Sequence, residues 1–201
     1  MDFGGELLIH FTPNIALGLG AGYIQASKSS TLTFSGYGET ANQTWAPKVS
    51  AIPITATLYY FLPSTGGVKL FLDAGVGYYL GKYTDKWHIV YYATYDETID
   101  TTANGIGFHG GLGIEVPFSP AVSLIVEGRG RYASLGNFKG TVNNGLTTVT
   151  GNVWLMNSTV YGSAYPVLGI SSSTPPSSLS PVQAKLDLSG FSAQIGFIFH
   201  L

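Results

Sequence analysis

The stretch "VKLFLDAGVGYYLG", residues 68–81, alternates apolar side chains with charged residues and glycine. Successive side chains of a β-strand point to opposite faces, so this pattern predicts a strand with one continuous apolar face. The repeated glycines disfavour a helix, in which each costs about 1 kcal/mol relative to alanine. The apolar face consists of Val68, Leu70, Leu72, Ala74, Val76, Tyr78 and Leu80, and the opposite face of Lys69, Phe71, Asp73, Gly75, Gly77 and Tyr79.

The same alternation recurs along the chain and predicts an all-β protein. These segments exceed the usual strand of about 5 to 6 residues and approach the roughly 9 to 11 residues of a tilted membrane-spanning strand. We predict seven such strands, at 4–11, 15–27, 50–61, 68–82, 104–117, 121–134 and 187–201.

The connections between these segments alternate in length. Short connections at 12–14, 63–67 and 118–120 alternate with long ones, rich in Ser, Thr, Gly, Asn and Tyr, at about 28–49, 84–103 and 134–184. Short turns on one side and long loops on the other are typical of an up-and-down antiparallel transmembrane barrel. We therefore predict that residues 1–201 form a single barrel domain with three long extracellular loops.

The composition of the chain favours the same class of protein. Of its 201 residues 10% are charged and 45% are hydrophobic, whereas soluble domains carry about 25% charged residues. The net charge of −2 indicates no nucleic-acid partner. The absence of cysteine excludes disulfides and thiolate metal sites, and no apolar run is long enough for a membrane-spanning helix.

Two opposite orientations of the alternating strands were weighed. A water-soluble barrel buries its apolar face, whereas an outer-membrane barrel turns that face to lipid and its polar face to the lumen. The polar face here is mostly Gly and Thr, a poor solvent face, so we favour the membrane orientation. The predicted lipid-facing residues are Leu17, Leu19, Ile54, Leu58, Leu70, Leu72, Val76, Leu112, Leu124, Val126, Phe197 and Phe199. The predicted lumen charge network comprises Lys69, Asp73, Glu115, Glu127, Arg129 and Arg131, because charges buried there must be paired.

The chain resembles the small outer-membrane β-barrels of Gram-negative bacteria, of the OmpA, OmpX and OmpW type. The resemblance is carried by "FGGELLIHFTPNIALGLGAGY" (3–23), "AIPITATLYYFLP" (51–63), "FLDAGVGYY" (71–79), "GIGFHGGLGIEVPFSPAVSLIVEGRGRY" (105–132) and "LSGFSAQIGFIFHL" (188–201). It implies about eight strands, a location in the bacterial outer membrane, and membrane lipid and lipopolysaccharide as partners. The final Leu201 departs from the aromatic residue that often ends such chains.

The strand count is odd, whereas closed single-chain bacterial barrels have even numbers. We expect either that a first strand precedes residue 1 or that the open edge at 4–11 pairs with a strand from another chain. A hairpin at 147–169 would add two strands and leave the count odd.

Catalytic and metal-binding patterns are weak. The four histidines, His10, His88, His109 and His200, lack the partners of a hydrolase site in the sequence, and His109 is expected to form a lumen hydrogen bond. The acidic cluster Asp96, Glu97 and Asp100 is either a calcium site or a solvated loop, and we favour the loop. We predict no enzyme, no cofactor and no metal.

The role favoured by these patterns is structural or interactive at the cell surface, with the lumen filled by paired charges. The alternatives are a narrow channel or binding barrel for small hydrophobic molecules, and a soluble lipocalin-like binder. Trp45, Trp87 and Trp154 fall in the predicted outer loops, where they indicate contact with a protein partner or packing of loop on loop.

Overall fold

The computed structural model of the chain describes residues 1–36, 39–64, 67–90, 94–160 and 163–199. These residues form an antiparallel all-β structure with one short 3-10 turn at Ser177–Leu179. Within them, no helix is long and apolar enough to cross a membrane. The strands are β1 (Asp2–Thr12), β2 (Ile15–Ser27), β3 (Ser30–Gly36), β4 (Glu39–Trp45), β5 (Lys48–Phe61), β6 (Lys69–Val90), β7 (Thr94–Ser119), β8 (Val122–Asn143), β9 (Thr148–Val160), β10 (Ser163–Ser171), β11 (Val182–Gln183), β12 (Leu186–Asp187) and β13 (Gly190–Phe199).

All seven predicted segments contain strands, and the prediction of an antiparallel all-β fold is confirmed. Each strand in the order β1, β2, β5, β6, β7, β8, β13 pairs antiparallel with the next. In the described part of the chain β1 pairs with β2 alone and β13 with β8 alone. Hydrogen bonds between described residues therefore do not close the sheet into a ring.

The stretches expected to be long loops contain strands of their own. β3 and β4 form a hairpin, and β6 and β7 remain paired from Lys69↔Glu115 to Val90↔Thr94. β9 and β10 form the hairpin considered for 147–169. The predicted strands end where the apolar alternation stops, but backbone pairing continues beyond that point because Thr and Tyr also favour strands.

The apolar face of the seven-stranded run is the exposed one. Ten of the twelve residues predicted to face lipid are exposed, and Leu17 and Leu124 are half-buried. The opposite face is mostly buried or half-buried although it carries polar and charged groups. Its buried members include Thr57, Asp73, His109, Glu115, Ser123 and Glu127, whereas the predicted lumen charge Lys69 is exposed. The distribution is the reverse of that in a water-soluble core.

The buried face is layered along the strands. One apolar cluster joins Ala16, Tyr59, Phe61 and Phe71, next to the short connections. A second cluster lies farther along the strands and joins Tyr79, Ala133, Leu135, Phe138 and Val153. On β6 the inward positions run from Phe71 through Asp73, Gly75 and Gly77 to Tyr79, so the charged layer lies between the two apolar clusters.

Candidate functional site

The central charged group of the interior is Arg129 on β8. Its Nε lies 2.5 Å from Oε1 of Glu127 and 3.5 Å from Oδ1 of Asp73, and its Nη2 donates a hydrogen bond of 3.0 Å to the hydroxyl of Tyr59. The side chains of Asp73 and Glu127 are 0% and 2% exposed. Two buried carboxylates thus converge on one guanidinium, which offsets part of the cost of burying them.

Thr57 links a second set of interior groups. Its hydroxyl lies 3.0 Å from Nε2 of His109 and 3.5 Å from Oε2 of Glu6, to which it donates. His109 thus has the interior hydrogen bond expected for it. Together we call Glu6, Thr57, Tyr59, Asp73, His109, Glu127 and Arg129 the interior polar cluster.

Glycine spacers let these partners meet. The register places Gly75 of β6 directly between Thr57 and His109, and Gly111 of β7 directly between Asp73 and Arg129. A Cβ at either glycine would lie 2.5 Å from the partner side chain, from His109 Nε2 or from Asp73 Oδ2. Because the intervening residue has no side chain, each pair connects across one strand.

The other predicted lumen charges lie apart from this centre. Nζ of Lys69 is 3.6 Å from Oε2 of Glu115, whose Oε1 accepts a 2.8 Å hydrogen bond from Ser123. Nη1 of Arg131 is 3.5 Å from Oδ2 of Asp2. The predicted network is therefore divided into a central group and two outlying ion pairs.

Sequence reasoning missed four contributors, Asp2, Glu6, Thr57 and Tyr59. The alternation puts Glu6, Thr57 and Tyr59 on the polar face of their strands, but nothing in the sequence joins them to the charge network. The alternation could have identified them. On one strand, two residues that are an even number of positions apart lie on the same face, so these residues share the face of the lumen residues. The cross-strand register that joins them was not readable from one sequence.

Within the described residues the acidic cluster contacts one histidine, His88, and its three carboxylates have separate partners. Nδ1 of His88 is 2.5 Å from Oδ1 of Asp96 in an exposed pair, and His10 packs against Phe61, whereas His200 lies outside the described residues. Glu97 accepts from Tyr95, and Asp100 pairs with Lys82 at 2.7 Å. In the described ranges no three His, Cys, Asp or Glu residues are arranged to hold a metal ion.

Two of the three tryptophans lie opposite each other on paired strands, Trp45 on β4 and Trp87 on β6. Trp45 Nε1 donates a 2.6 Å hydrogen bond to Oδ2 of Asp85, which also accepts from the Tyr83 hydroxyl at 3.0 Å. Burial and the Asp85 carboxylate both raise the pKa of Tyr83. This triad joins the β3–β4 hairpin to β6.

A groove of about 770 Å³ separates β1 from β13. Its walls include side chains from both faces of each strand, such as Glu6 and Leu7 on β1 and Gln194 and Ile195 on β13. Its floor includes Tyr59, Tyr79, His109, Glu127, Arg129 and Arg131. The groove therefore reaches from the outer surface to the interior polar cluster.

Comparisons with known proteins add no relative. A scan against models of protein families found no match, and searches of curated proteins and of solved structures found none either. The geometry of the chain itself therefore carries the functional argument. That geometry pairs charges in the interior, and one hydroxyl–imidazole pair among the described residues, Thr57 and His109, is buried.

Proposed function

We propose that this chain forms the wall of an outer-membrane β-barrel with a structural or surface-interaction role. The observation that carries the proposal is the inverted burial, with an exposed apolar belt around a buried charged interior. Apolar patches on soluble monomers rarely exceed a few hundred Å². In a membrane the apolar belt contacts lipid, so its side chains leave water without being buried in a protein core.

The paired charges and packed apolar layers of the interior favour a structural role over passage. Arg129 with its carboxylates occupies the middle, and apolar clusters around Phe71 and Leu135 pack to either side. A barrel of about eight strands has a bore that side chains fill. The alternative, a channel for small hydrophobic molecules, would require these layers to part.

The paired extensions favour interaction at the surface. The β3–β4 hairpin and the extended β6, β7 and β8 carry ordered strands beyond the apolar belt. Trp45 and Leu146 are exposed in this region, and aromatic and apolar side chains on rigid strands suit protein contact.

The test compares two adjacent residues on opposite faces of β5, Leu58, 55% exposed, and Thr57, 0% exposed. The chain has no cysteine, so Leu58→Cys and Thr57→Cys each give one labelling site. Each variant is labelled with bimane while unfolded and then refolded into phospholipid vesicles, and we expect lipid-borne nitroxides to quench the probe at 58 much more than the probe at 57. Aqueous iodide should quench neither strongly.

The opposite result would overturn the proposal. In that result the protein is monomeric in detergent-free buffer, and the thiol of Leu58→Cys reacts rapidly with a water-soluble maleimide. Migration on a gel before and after boiling is the accompanying control for a folded barrel in detergent.

A further inference from the structure

The two strands that border the groove have backbone hydrogen-bonding groups that no other described strand pairs with. Met1 and Gln25 exchange both backbone hydrogen bonds, and antiparallel ladders alternate between bonded and non-bonded pairs. The N–H and C=O groups of alternate β1 residues therefore point away from β2, into the groove. These residues are Asp2, Gly4, Glu6, Leu8 and His10.

The same alternation defines the free edge of β13. The N–H of Leu188 bonds to the carbonyl of Ala133, and the register of β12 and β13 on β8 is continuous with this pair. Alternate β13 residues therefore direct their backbone groups into the groove from the other side. They are Phe191, Ala193, Ile195, Phe197 and Phe199.

The number of strands sets the direction of any strand that could enter. Six successive antiparallel pairings lead from β1 to β13, so these two edges run parallel to each other. One strand running opposite to both would pair antiparallel on each side. It would also satisfy both edges, which lipid does not tolerate unpaired.

We infer that the groove between β1 and β13 accepts one extended strand of a polypeptide other than residues 1–199, which closes the barrel by pairing with both edges. The inference rests on the proposed membrane location, because the need to close both edges arises in lipid. We expect the inserted strand to be about as long as β1 and β13, which have 11 and 10 residues.

The groove also specifies the side chains of this strand. The floor is already occupied by Tyr59, Arg129 and Arg131, so inward positions require small residues. The outward neighbours Leu7 and Ile195 are 61% and 76% exposed, so outward positions require apolar residues that continue the belt. The occupant is thus a strand that alternates apolar with small residues.

A second copy of the chain fits less well. Two copies inserted in the same orientation would bring β13 of one beside β1 of the other in parallel. Parallel pairing lacks the antiparallel ladder found in every strand pair of the described residues, and outer-membrane barrels are antiparallel throughout. A single inserted strand keeps that pattern.

The chain supplies a probe for the experiment. The stretch "IALGLGAGYIQ" (15–25) alternates apolar and small residues and runs antiparallel to β1 in the structure. A fluorescent peptide of this sequence is added to the full protein refolded in dodecylmaltoside micelles. The matched control peptide carries proline at the positions of Gly18 and Gly20, which removes two backbone donors.

We expect the peptide to bind one per protein and the proline control to bind about tenfold or more weakly. Quenchers attached at Gly5→Cys on β1 and at Ile195→Cys on β13 should both quench the bound peptide. A quencher at Leu112→Cys on β7, remote from the groove, should quench it much less. An added Cβ at Gly5 meets no atom within 4 Å, so this site tolerates the label.

Three results would overturn the inference. One is no binding by correctly folded, heat-modifiable protein. Another is a species of twice the mass that forms Gly5→Cys to Ile195→Cys disulfides between copies. The third is the same disulfide within one copy, which would mean that the edges close directly. Each leaves the membrane proposal standing if Leu58→Cys still faces lipid, so the two failures are distinguishable.

Discussion

Asp73 and Arg129 form their ion pair across an intervening strand because the residue between them is Gly111. The register aligns Asp73 with Gly111 on β7 and Gly111 with Arg129 on β8. Gly75 separates Thr57 from His109 in the same way. Gly75 and Gly111 are thus the spaces across which these polar side chains reach their partners.

Gly111→Ala should destabilise the fold by about 1–3 kcal/mol, the usual cost of overpacking. The added Cβ would lie 2.5 Å from Asp73 Oδ2 and 2.7 Å from the carbonyl of Gly128. Urea unfolding in vesicles measures the change. Gly128→Ala is the matched control, since a Cβ there meets nothing within 4 Å and stability should stay level or rise. Equal losses at the two positions would contradict the spacer role.

Arg129→Met should cost about 3–5 kcal/mol, because it leaves the buried carboxylates of Asp73 and Glu127 without their cation. The same unfolding measurement applies. Lys82→Met removes a cation from an exposed pair with Asp100, 49% and 46% exposed, and should cost at most about 1 kcal/mol. Similar losses for both variants would mean that the interior charges are solvated.

Leu112→Arg tests the environment of the exposed belt. In lipid an arginine on the outer face near the midplane costs about 2–4 kcal/mol, whereas at a water-exposed site it would cost little. Leu146→Arg, at a residue 89% exposed beyond the belt, is the control with the same chemical change. Unchanged stability for Leu112→Arg in vesicles would argue that Leu112 does not face lipid.

Because of Tyr83, the free energy of unfolding should decrease as the pH rises above 10. Burial and Asp85 raise its folded-state pKa above the ordinary value of 10.0. As the pH passes 10, the Tyr83 phenol therefore ionises in the unfolded chain but not in the folded one. The stabilisation is complete below pH 10 and is lost as the pH rises toward the folded-state pKa. Unfolding measured from pH 8 to 11 should show a smaller decline for Tyr83→Phe than for the wild type. A parallel decline in both would contradict the shift.

The sequence predicted the strands far better than the partners of their side chains. Alternation in "VKLFLDAGVGYYLG" located β6 and showed that Lys69 and Asp73 share a face. It did not show that Lys69 pairs with Glu115 while Asp73 pairs with Arg129. Those pairings depend on the register between strands distant in sequence, which local periodicity does not contain.

The lengths of the strands were also underestimated, for a physical reason. Apolar alternation marks only the part of a strand that has one apolar face and one polar face. Beyond it, Tyr83 and Trp87 continue β6 through backbone pairing and cross-strand contacts, which make no demand on hydropathy.

The sequence by itself determined the all-β class, the location of the seven alternating segments and the face on which their side chains lie, because the period of two is a local property of the extended backbone. Only the tertiary structure decided which charges meet, how glycine spacers admit them, and that β1 and β13 end as parallel edges beside a groove. Those features depend on the register and direction of every successive strand pairing around the sheet, which no single segment of the sequence specifies.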